Sequence, residues 1–291
     1  MSFDWRLFGR ASAHPLRWLT IVVFGVTCLA GMGVTGLVHA QMIVGHRGAS
    51  EDAPENTVAA FQLAWEQQAD GIEGDFYLAS DSEIVCIHDK TTRRTTAQDV
   101  NVESSTLAEL RELDAGNWKG AKWNGERIPT FADVMATVPE GRTFVIELKS
   151  DVRIVEPLKR ELDRIDHSKI KLLIIAFDEA NVKACKERMP DVEVHWLTSF
   201  KQVEKGGSWS PTPEQIADTV RRSGADGVGM KGMVDLIDQP FIDRLLAGGC
   251  STFHVWTIDS PDEAKYYANL GAVGITTNRP AVIRDALKAI P

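Results

Sequence analysis

A histidine and an arginine stand side by side at the end of a short apolar run. The run covers residues 42–45, and His46 and Arg47 follow it directly. An arginine can bind a phosphate oxyanion through two parallel hydrogen bonds, and a histidine exchanges a proton near neutral pH. The pair therefore suits chemistry on a phosphate ester. Such a pair also occurs in ordinary surface loops, so its meaning depends on the polar residues that follow it.

Carboxylates occupy later strand-like runs of the chain. Glu73 and Asp75 belong to the run 71–78, and Glu147 ends another apolar run, with Lys149 two positions further on. Alternate residues of a strand share one face, so each of these pairs is expected to point in one direction. Three carboxylates without cysteine or clustered histidine indicate a site for a hard divalent cation, Ca²⁺ or Mg²⁺. The alternative for either pair alone is the solvated face of an edge strand.

The runs that would position these residues alternate with helical patterns, as in an α/β fold. Eight strand-like runs recur, at residues 42–45, 71–78, 143–148, 171–176, 192–197, 227–230, 252–257 and 272–276. An interval at about 90–140 separates His88 from the run that ends at Glu147. It is longer than the usual loop of about two to six residues. We expect this insertion to form a lid or a small subdomain.

The order of these motifs resembles the glycerophosphodiester phosphodiesterase family. The shared segments are HRG and PENT after residue 45, E-x-D at Glu73, His-Asp at His88, E-x-K at Glu147, and HVWT and GAVGITTNRP beyond residue 250. The resemblance runs from about Met42 to near the C-terminus. It implies a TIM (β/α)8 barrel with a small insertion after the second strand. The implied reaction is hydrolysis of a glycerophosphodiester to sn-glycerol 3-phosphate and an alcohol.

The resemblance also implies a role for individual residues around one bound divalent cation. These are the metal ligands Glu73, Asp75 and Glu147, the acid–base catalysts His46 and His88, and the substrate-binding residues Arg47, Lys149 and Trp256. One departure is visible, because relatives often place a Ser-Phe pair after the fourth strand and this chain has Ala176-Phe177. His167 and His195 have no carboxylate partner that the sequence suggests. We expect those two to be ordinary surface or core histidines.

The first 40 residues have the pattern of an export signal. Three arginines precede an apolar stretch at residues 18–38, and a Val-His-Ala sequence ends at Ala40. We expect cleavage before Gln41, which would leave residues 41–291 as an exported phosphodiesterase domain in the periplasm or outside the cell. The alternative is an uncleaved inner-membrane anchor, because the stretch approaches the roughly 20 residues that span a bilayer.

Composition limits the remaining choices. The net charge is −9, and the first 40 residues contribute three arginines against one aspartate, so the rest is more acidic still. Nucleic acid is therefore not expected as a partner, and no stable protein partner is implied. The length after residue 40 is close to the roughly 250 residues of a single TIM barrel. Cys86, Cys185 and Cys250 are expected to be buried thiols, with a single disulfide as the alternative.

Other functions stay open from the sequence alone. A related barrel phospholipase, of the phospholipase C or D type, would use similar histidines and carboxylates on membrane lipids. A non-catalytic periplasmic binding protein would have no use for two proton carriers. An anchored structural protein would rest on the N-terminal stretch only. The sequence does not assign acid and base between His46 and His88. The nucleophile is either the 2-hydroxyl of glycerol or a metal-bound water.

Overall fold

The computed structural model describes residues 41–288, and parallel strands close into an eight-stranded barrel within them. In chain order the strands are β1 (Met42–His46), β2 (Gly71–Leu78), β3 (Ile84–Cys86), β4 (Thr143–Leu148), β5 (Lys171–Ala176), β6 (Glu193–Thr198), β7 (Lys201–Gln202), β8 (Trp209–Ser210), β9 (Gly227–Lys231), β10 (Phe253–Trp256) and β11 (Gly274–Thr277). Strand β1 pairs with both β2 and β11, which closes the barrel. Strand β3 adds to β2 in antiparallel orientation, and β7 and β8 form a separate hairpin.

Helices alternate with the barrel strands. They are α1 (Val58–Glu66), α2 (Leu107–Arg111), α3 (Phe131–Met135), α4 (Val155–Arg164), α5 (Glu179–Arg188), α6 (Pro213–Ser223), α7 (Gln239–Ala247), α8 (Pro261–Asn269) and α9 (Pro280–Lys288). Thr57 caps α1, because its side chain accepts a hydrogen bond from the Ala60 amide. The parallel closed barrel with helices confirms the predicted fold class, and each predicted run overlaps one barrel strand.

Apolar residues fill two layers. One layer packs the helices onto the outer faces of the strands and includes the fully buried Phe61 and Phe144. The other lies inside the barrel, where Val44, Val145 and Leu173 pack together. Burial of such a side chain contributes about 1.5–3 kcal/mol relative to exposure, so the two layers fix the strands that carry the polar residues. The cysteines Cys86, Cys185 and Cys250 are free and buried, as predicted.

The segment between β2 and β4 forms a small structure of its own. It contains β3, α2, α3 and 3₁₀ turns at Val102–Ser104, Asn117–Lys119 and Ala121–Trp123. Val102, Leu110 and Ile128 are buried in a cluster with residues of β2 and β3. Lys119 Nζ donates a hydrogen bond of 2.7 Å to the Ser50 carbonyl oxygen. This bond ties the segment to the loop after β1, which carries Arg47.

The predicted N-terminal signal, residues 1–40, lies outside the described residues. Among the helices of residues 41–288, none combines the length and the apolar character that a membrane span requires.

Candidate active site

The predicted site residues converge at the carboxyl end of the barrel. Strand β1 ends at His46, and the parallel register places His46 beside Glu73 of β2. The register between β2 and β4 places Asp75 beside Glu147. Three neighbouring strands therefore deliver these side chains to one end of the barrel. That end is where TIM-barrel enzymes build their active sites, from residues at the ends of several strands.

Glu73, Asp75 and Glu147 form a buried carboxylate cluster. One oxygen of each lies within 4.8 Å of one oxygen of the other two. The residues are only 1%, 1% and 8% exposed. Burial, with repulsion from the other carboxylates, raises the pKa of Glu73 well above its usual value. Burial and the charge of Asp75 raise the pKa of Glu147 to about 7. Burial opposes ionisation of Asp75 too, but Arg47 and Lys149 outweigh it and lower the Asp75 pKa.

The cluster has the properties of a site for a hard divalent cation. Glu73 Oε1 and Asp75 Oδ1 are buried and accept no hydrogen bond from the described residues. A buried carboxylate oxygen without a hydrogen bond is costly, so these two atoms are suited to bind a metal ion. The donors are all carboxylate oxygens, which Ca²⁺ and Mg²⁺ prefer. The residues present therefore fit the predicted cation.

Two fixed cations flank the carboxylates. Arg47 donates its backbone N–H to Glu73 Oε2 at 2.9 Å, and its Nε lies 3.1 Å from Asp75 Oδ2. Its φ of 56° turns the chain sharply after β1 and brings both groups to the cluster. Lys149 Nζ lies 2.7 Å from Glu147 Oε1 and 3.5 Å from Asp75 Oδ1. Both cations can offer their remaining N–H groups to an anion in front of the cluster.

His46 is fixed in one orientation by a residue far away in the sequence. Its Nδ1 lies 2.7 Å from Asn278 Oδ1. Asn278 uses its own amide Nδ2 to donate to Asp259 Oδ2 at 2.6 Å, so Oδ1 is the atom that faces His46. The His46 Nδ1 therefore carries the proton, and Nε2 keeps its lone pair. Burial and the nearby Arg47 lower the pKa of His46 to about 4. A neutral imidazole with a free Nε2 can accept a proton at neutral pH.

His88 is oriented by the residue that follows it. Its Nδ1 lies 2.6 Å from Asp89 Oδ1. Asp89 in turn accepts a 2.7 Å bond from Arg94 Nε, and Arg94 also forms two hydrogen bonds to Glu55. The hydrogen bonds from Arg94 and His88 outweigh partial burial and lower the pKa of Asp89 to about 2. An ionised Asp89 can only accept, so His88 Nδ1 carries a proton.

These groups line one cavity of about 210 Å³. Its walls include all the predicted site residues except Asp75, which lies among the ligand atoms of the carboxylate cluster: His46, Arg47, Glu73, His88, Glu147, Lys149 and Trp256. Phe177 also lines it, 44% exposed, with its ring edge-on to Trp256 at a centroid distance of 5.6 Å. A second cavity of about 330 Å³ shares Glu147, Lys149 and Phe177 with the first. The two cavities together form a divided pocket around the carboxylate cluster.

Several residues of the site had no predicted role. Asn56 donates to Asp75 Oδ2 at 2.8 Å and accepts from the Asp75 amide, so it fixes the orientation of this carboxylate. Glu55 accepts from Arg47 and Arg94 and links the two. Asn278 fixes His46. Glu55 and Asn56 lie in the PENT motif, and Asn278 lies in TNRP. Because both motifs carry the family resemblance, they could have indicated a role for these residues.

His195 is a core histidine, as one of the two expected alternatives had it, but the prediction that it lacks a carboxylate partner was wrong. It is 1% exposed, and its Nε2 lies 3.0 Å from Glu193 Oε1, a carboxylate two positions earlier on the same strand. Its Nδ1 lies 3.0 Å from Nδ1 of His254, another wall of the cavity. The spacing of Glu193 and His195 could have indicated their contact, since residues i and i+2 of a strand share one face.

Comparisons with known proteins agree with the geometry. The sequence model of the glycerophosphoryl diester phosphodiesterase family matches residues 46–282. Bacillus subtilis YhdW, provisionally named a glycerophosphodiester phosphodiesterase, is 34% identical over 84% of this chain and 97% of its own. The glycerophosphodiester phosphodiesterase of Caldanaerobacter subterraneus is 29% identical over 85% and 98% of the two chains.

A solved structure is similar as well. The Oleispira antarctica phosphodiesterase in complex with the product sn-glycerol 3-phosphate superimposes with a TM-score of 0.76 at 25% identity, over 85% of this chain and 97% of that one. These similarities confirm the prediction that the protein is a phosphodiesterase enzyme. The chain belongs to the glycerophosphoryl diester phosphodiesterase family.

Proposed function

We propose that the protein hydrolyses glycerophosphodiesters to sn-glycerol 3-phosphate and an alcohol, with one divalent cation, Ca²⁺ or Mg²⁺, held by Glu73, Asp75 and Glu147. The observation that carries the proposal is the buried carboxylate cluster, in which two oxygens accept no hydrogen bond, flanked by Arg47 and Lys149. The product complex of the related Oleispira antarctica enzyme supports the choice of substrate.

The first task of the site is to bind a phosphodiester monoanion. Arg47 and Lys149 each have N–H groups next to the carboxylates, where they can hold the phosphoryl oxygens and neutralise their charge. When bound, the cation would withdraw electron density from the same oxygens and lower the pKa of the attacking hydroxyl or water. Arg47 and Lys149 thus hold the phosphoryl group in the cavity that both histidines line.

The second task is to move two protons. We assign His46 as the base, because its Nδ1 is committed to Asn278 and its neutral Nε2 can take a proton from the nucleophile. We assign His88 as the acid that protonates the leaving alcohol, because it lines the same cavity as His46 and the Asp89 carboxylate at its Nδ1 fixes the orientation of its ring. Each step contributes on the order of 10²–10⁴ in rate.

The divided pocket gives the two halves of the substrate separate places. Trp256 and Phe177 form the apolar side of the smaller cavity, against which the carbon chain of glycerol can lie. The larger cavity opens beyond Glu147 and Lys149 and is lined by polar residues such as Ser150 and Asp178. We place the leaving alcohol there, because it starts at the phosphate-binding lysine and is open to solvent.

A direct assay tests this proposal. Purified protein is expected to release sn-glycerol 3-phosphate from glycerophosphocholine, to stop after exhaustive chelation, and to recover with added Ca²⁺ or Mg²⁺. Release should be absent from a His46→Ala/His88→Ala double variant prepared in parallel. Cleavage of intact phospholipid without cleavage of glycerophosphocholine would instead show the related phospholipase. Binding of glycerophosphocholine without turnover would show the binding protein.

We also propose that residues 1–40 direct export and are removed. The support is the sequence pattern of three arginines, an apolar stretch and a Val-His-Ala ending before Gln41. N-terminal sequencing of the exported protein is expected to begin at Gln41. Recovery of an intact Met1 in the membrane fraction would contradict cleavage and favour an inner-membrane anchor by residues 18–38.

A further inference from the structure

The side chains of Glu193, His195 and His254 form a hydrogen-bonded network through the barrel. The proposed mechanism does not use this network. Glu193 Oε1 lies 3.0 Å from His195 Nε2. His195 Nδ1 lies 3.0 Å from His254 Nδ1, and the two rings meet edge to edge, with their planes 22° apart and their centroids 5.2 Å apart. His195 and His254 are only 1% and 4% exposed, whereas the Glu193 side chain is 55% exposed. The network therefore connects a solvated carboxylate to a wall of the active-site cavity.

The barrel is built to accommodate the two imidazoles. Gly227 and Gly229 of β9 lie beside the rings. A Cβ at Gly227 would come within 2.7 Å of His195 Nε2, and one at Gly229 within 2.4 Å of His254 Nε2. Real Cβ atoms do not make such contacts, so any larger residue would displace a ring. The position of Gly229 also locates His254 Nε2 in the interior of the barrel, in the layer of Leu197, which lines the same cavity.

Hydrogen-bond donors and acceptors determine where the protons lie. An ionised Glu193 can only accept, so His195 Nε2 carries a proton. The hydrogen bond with His195 lowers the pKa of Glu193, which keeps this carboxylate ionised. With one proton on the His195 ring, its Nδ1 can only accept, and His254 Nδ1 must donate. Burial holds the pKa of His254 well below its usual value, so its ring is neutral and Nε2 keeps a lone pair.

We propose that Glu193 and His195 are positioning residues that hold His254 in the Nδ1–H tautomer, so that His254 Nε2 accepts a hydrogen bond from a glycerol hydroxyl of the bound ligand. Among the described residues, none bonds to His254 Nε2. The assignment of the ligand rests on the proposed function. A phosphodiester monoanion carries no donor, and Arg47 and Lys149 already bind its oxygens. The groups left to donate to this wall are the hydroxyls of glycerol, beside Trp256 on the same strand.

The tautomer itself can be measured. In ¹⁵N-labelled histidine spectra of the wild type, His254 should show a protonated Nδ1 and an unprotonated Nε2. The substitution Glu193→Leu removes the acceptor that fixes the proton positions in the network. The two rings should then populate both proton arrangements, and the His254 signals should shift toward protonated Nε2. The exposed Glu193 can be replaced without disturbing the core. Asp191→Leu is a matched control, since it removes an exposed carboxylate two positions away that has no bond to either histidine. An unchanged His254 tautomer in Glu193→Leu would overturn the positioning role.

Binding without turnover tests the hydroxyl contact. Calorimetry should show sn-glycerol 3-phosphate binding about tenfold more tightly than propyl phosphate, which has the same carbon chain and no hydroxyls. His254→Phe keeps a ring and should remove this ratio, while Glu193→Leu should reduce it about threefold, because a hydroxyl can still turn to accept from Nε2–H. Asp191→Leu should leave it unchanged. A ratio that survives both variants would overturn the contact. Because no turnover is involved, a protein that binds with this ratio and does not hydrolyse would overturn the proposed function and keep this inference.

Discussion

Replacement of Glu73 by glutamine is expected to lower kcat/KM at least about 10³-fold and to remove the response of the protein to added Ca²⁺ or Mg²⁺. Glu73 Oε1 is one of the two buried oxygens of the carboxylate cluster that accept no hydrogen bond, and Glu73 Oε2 accepts from the Arg47 amide. Glutamine can still accept from that amide, so the loss reports the missing charge rather than a displaced Arg47. Ala at Glu73, Asp75 or Glu147 should give the same loss.

The same substitution should have the opposite effect on the stability of the metal-free protein. Burial, with repulsion from the neighbouring carboxylates, raises the pKa of Glu73 and brings that of Glu147 from 4.5 to about 7. Between those values the metal-free folded state binds more protons than the unfolded state, so its free energy of unfolding falls as the pH rises. Metal-free Glu73→Gln should therefore melt above metal-free wild type at pH 8, and the difference should shrink toward pH 5.

Calcium should reverse that order, since only the wild type retains the full set of ligands and gains the binding free energy. Thermal melts with and without Ca²⁺, at pH 5 and pH 8, measure both effects. Asp163→Asn on the exposed side of α4 is the control and should follow the wild type throughout. Full wild-type activity after exhaustive chelation would contradict the metal requirement.

The sequence could predict the barrel because its information is local. Each barrel strand is an apolar or β-branched run bounded by polar residues, and parallel strands buried on both faces have that pattern. The carboxylates were visible for the same reason. Glu73 and Asp75 interrupt an apolar run, and residues 71–77 of β2 are all buried. A charged residue inside such a run requires a partner, which here is most simply an ion.

The contacts that orient the proposed catalytic groups could not be predicted from local patterns. His46 and Asn278 are 232 positions apart and meet only because β11 closes the barrel against β1. Arg94 reaches Glu55 from the segment between β2 and β4, whose placement depends on its own apolar cluster. The pairing of His195 with His254 across 59 positions likewise requires β6 and β10 to face one interior. Only the contact between Glu193 and His195 could have been predicted from the alternation of residues along a strand.

The histidines give the other large expected effect. His46→Ala and His88→Ala should each lower kcat at least about a hundredfold, the lower range of general acid–base catalysis, while the barrel still folds. His46→Asn and His88→Asn are sharper variants. Asparagine can keep a donor in place of Nδ1, toward Asn278 or Asp89, but it has no counterpart of Nε2. Equal losses in the Ala and Asn variants would assign the effect to Nε2, and near-normal turnover in either Asn variant would remove that histidine from the mechanism.

The acidity of the leaving group separates the two roles. Nitrophenolate departs without a proton, whereas the alkoxide of an ordinary alcohol requires one. With the 4-nitrophenyl ester of glycerol 3-phosphate, His88→Asn should lose at least about tenfold less activity than it loses with glycerophosphocholine. His46→Asn should lose equally with both, because the base acts on the nucleophile. In the wild type, the pKa of His46 is about 4, so we expect kcat/KM to fall as the pH falls through that value and the neutral base is lost. The reverse pattern, with His46→Asn rescued by the nitrophenyl ester, would exchange the two roles.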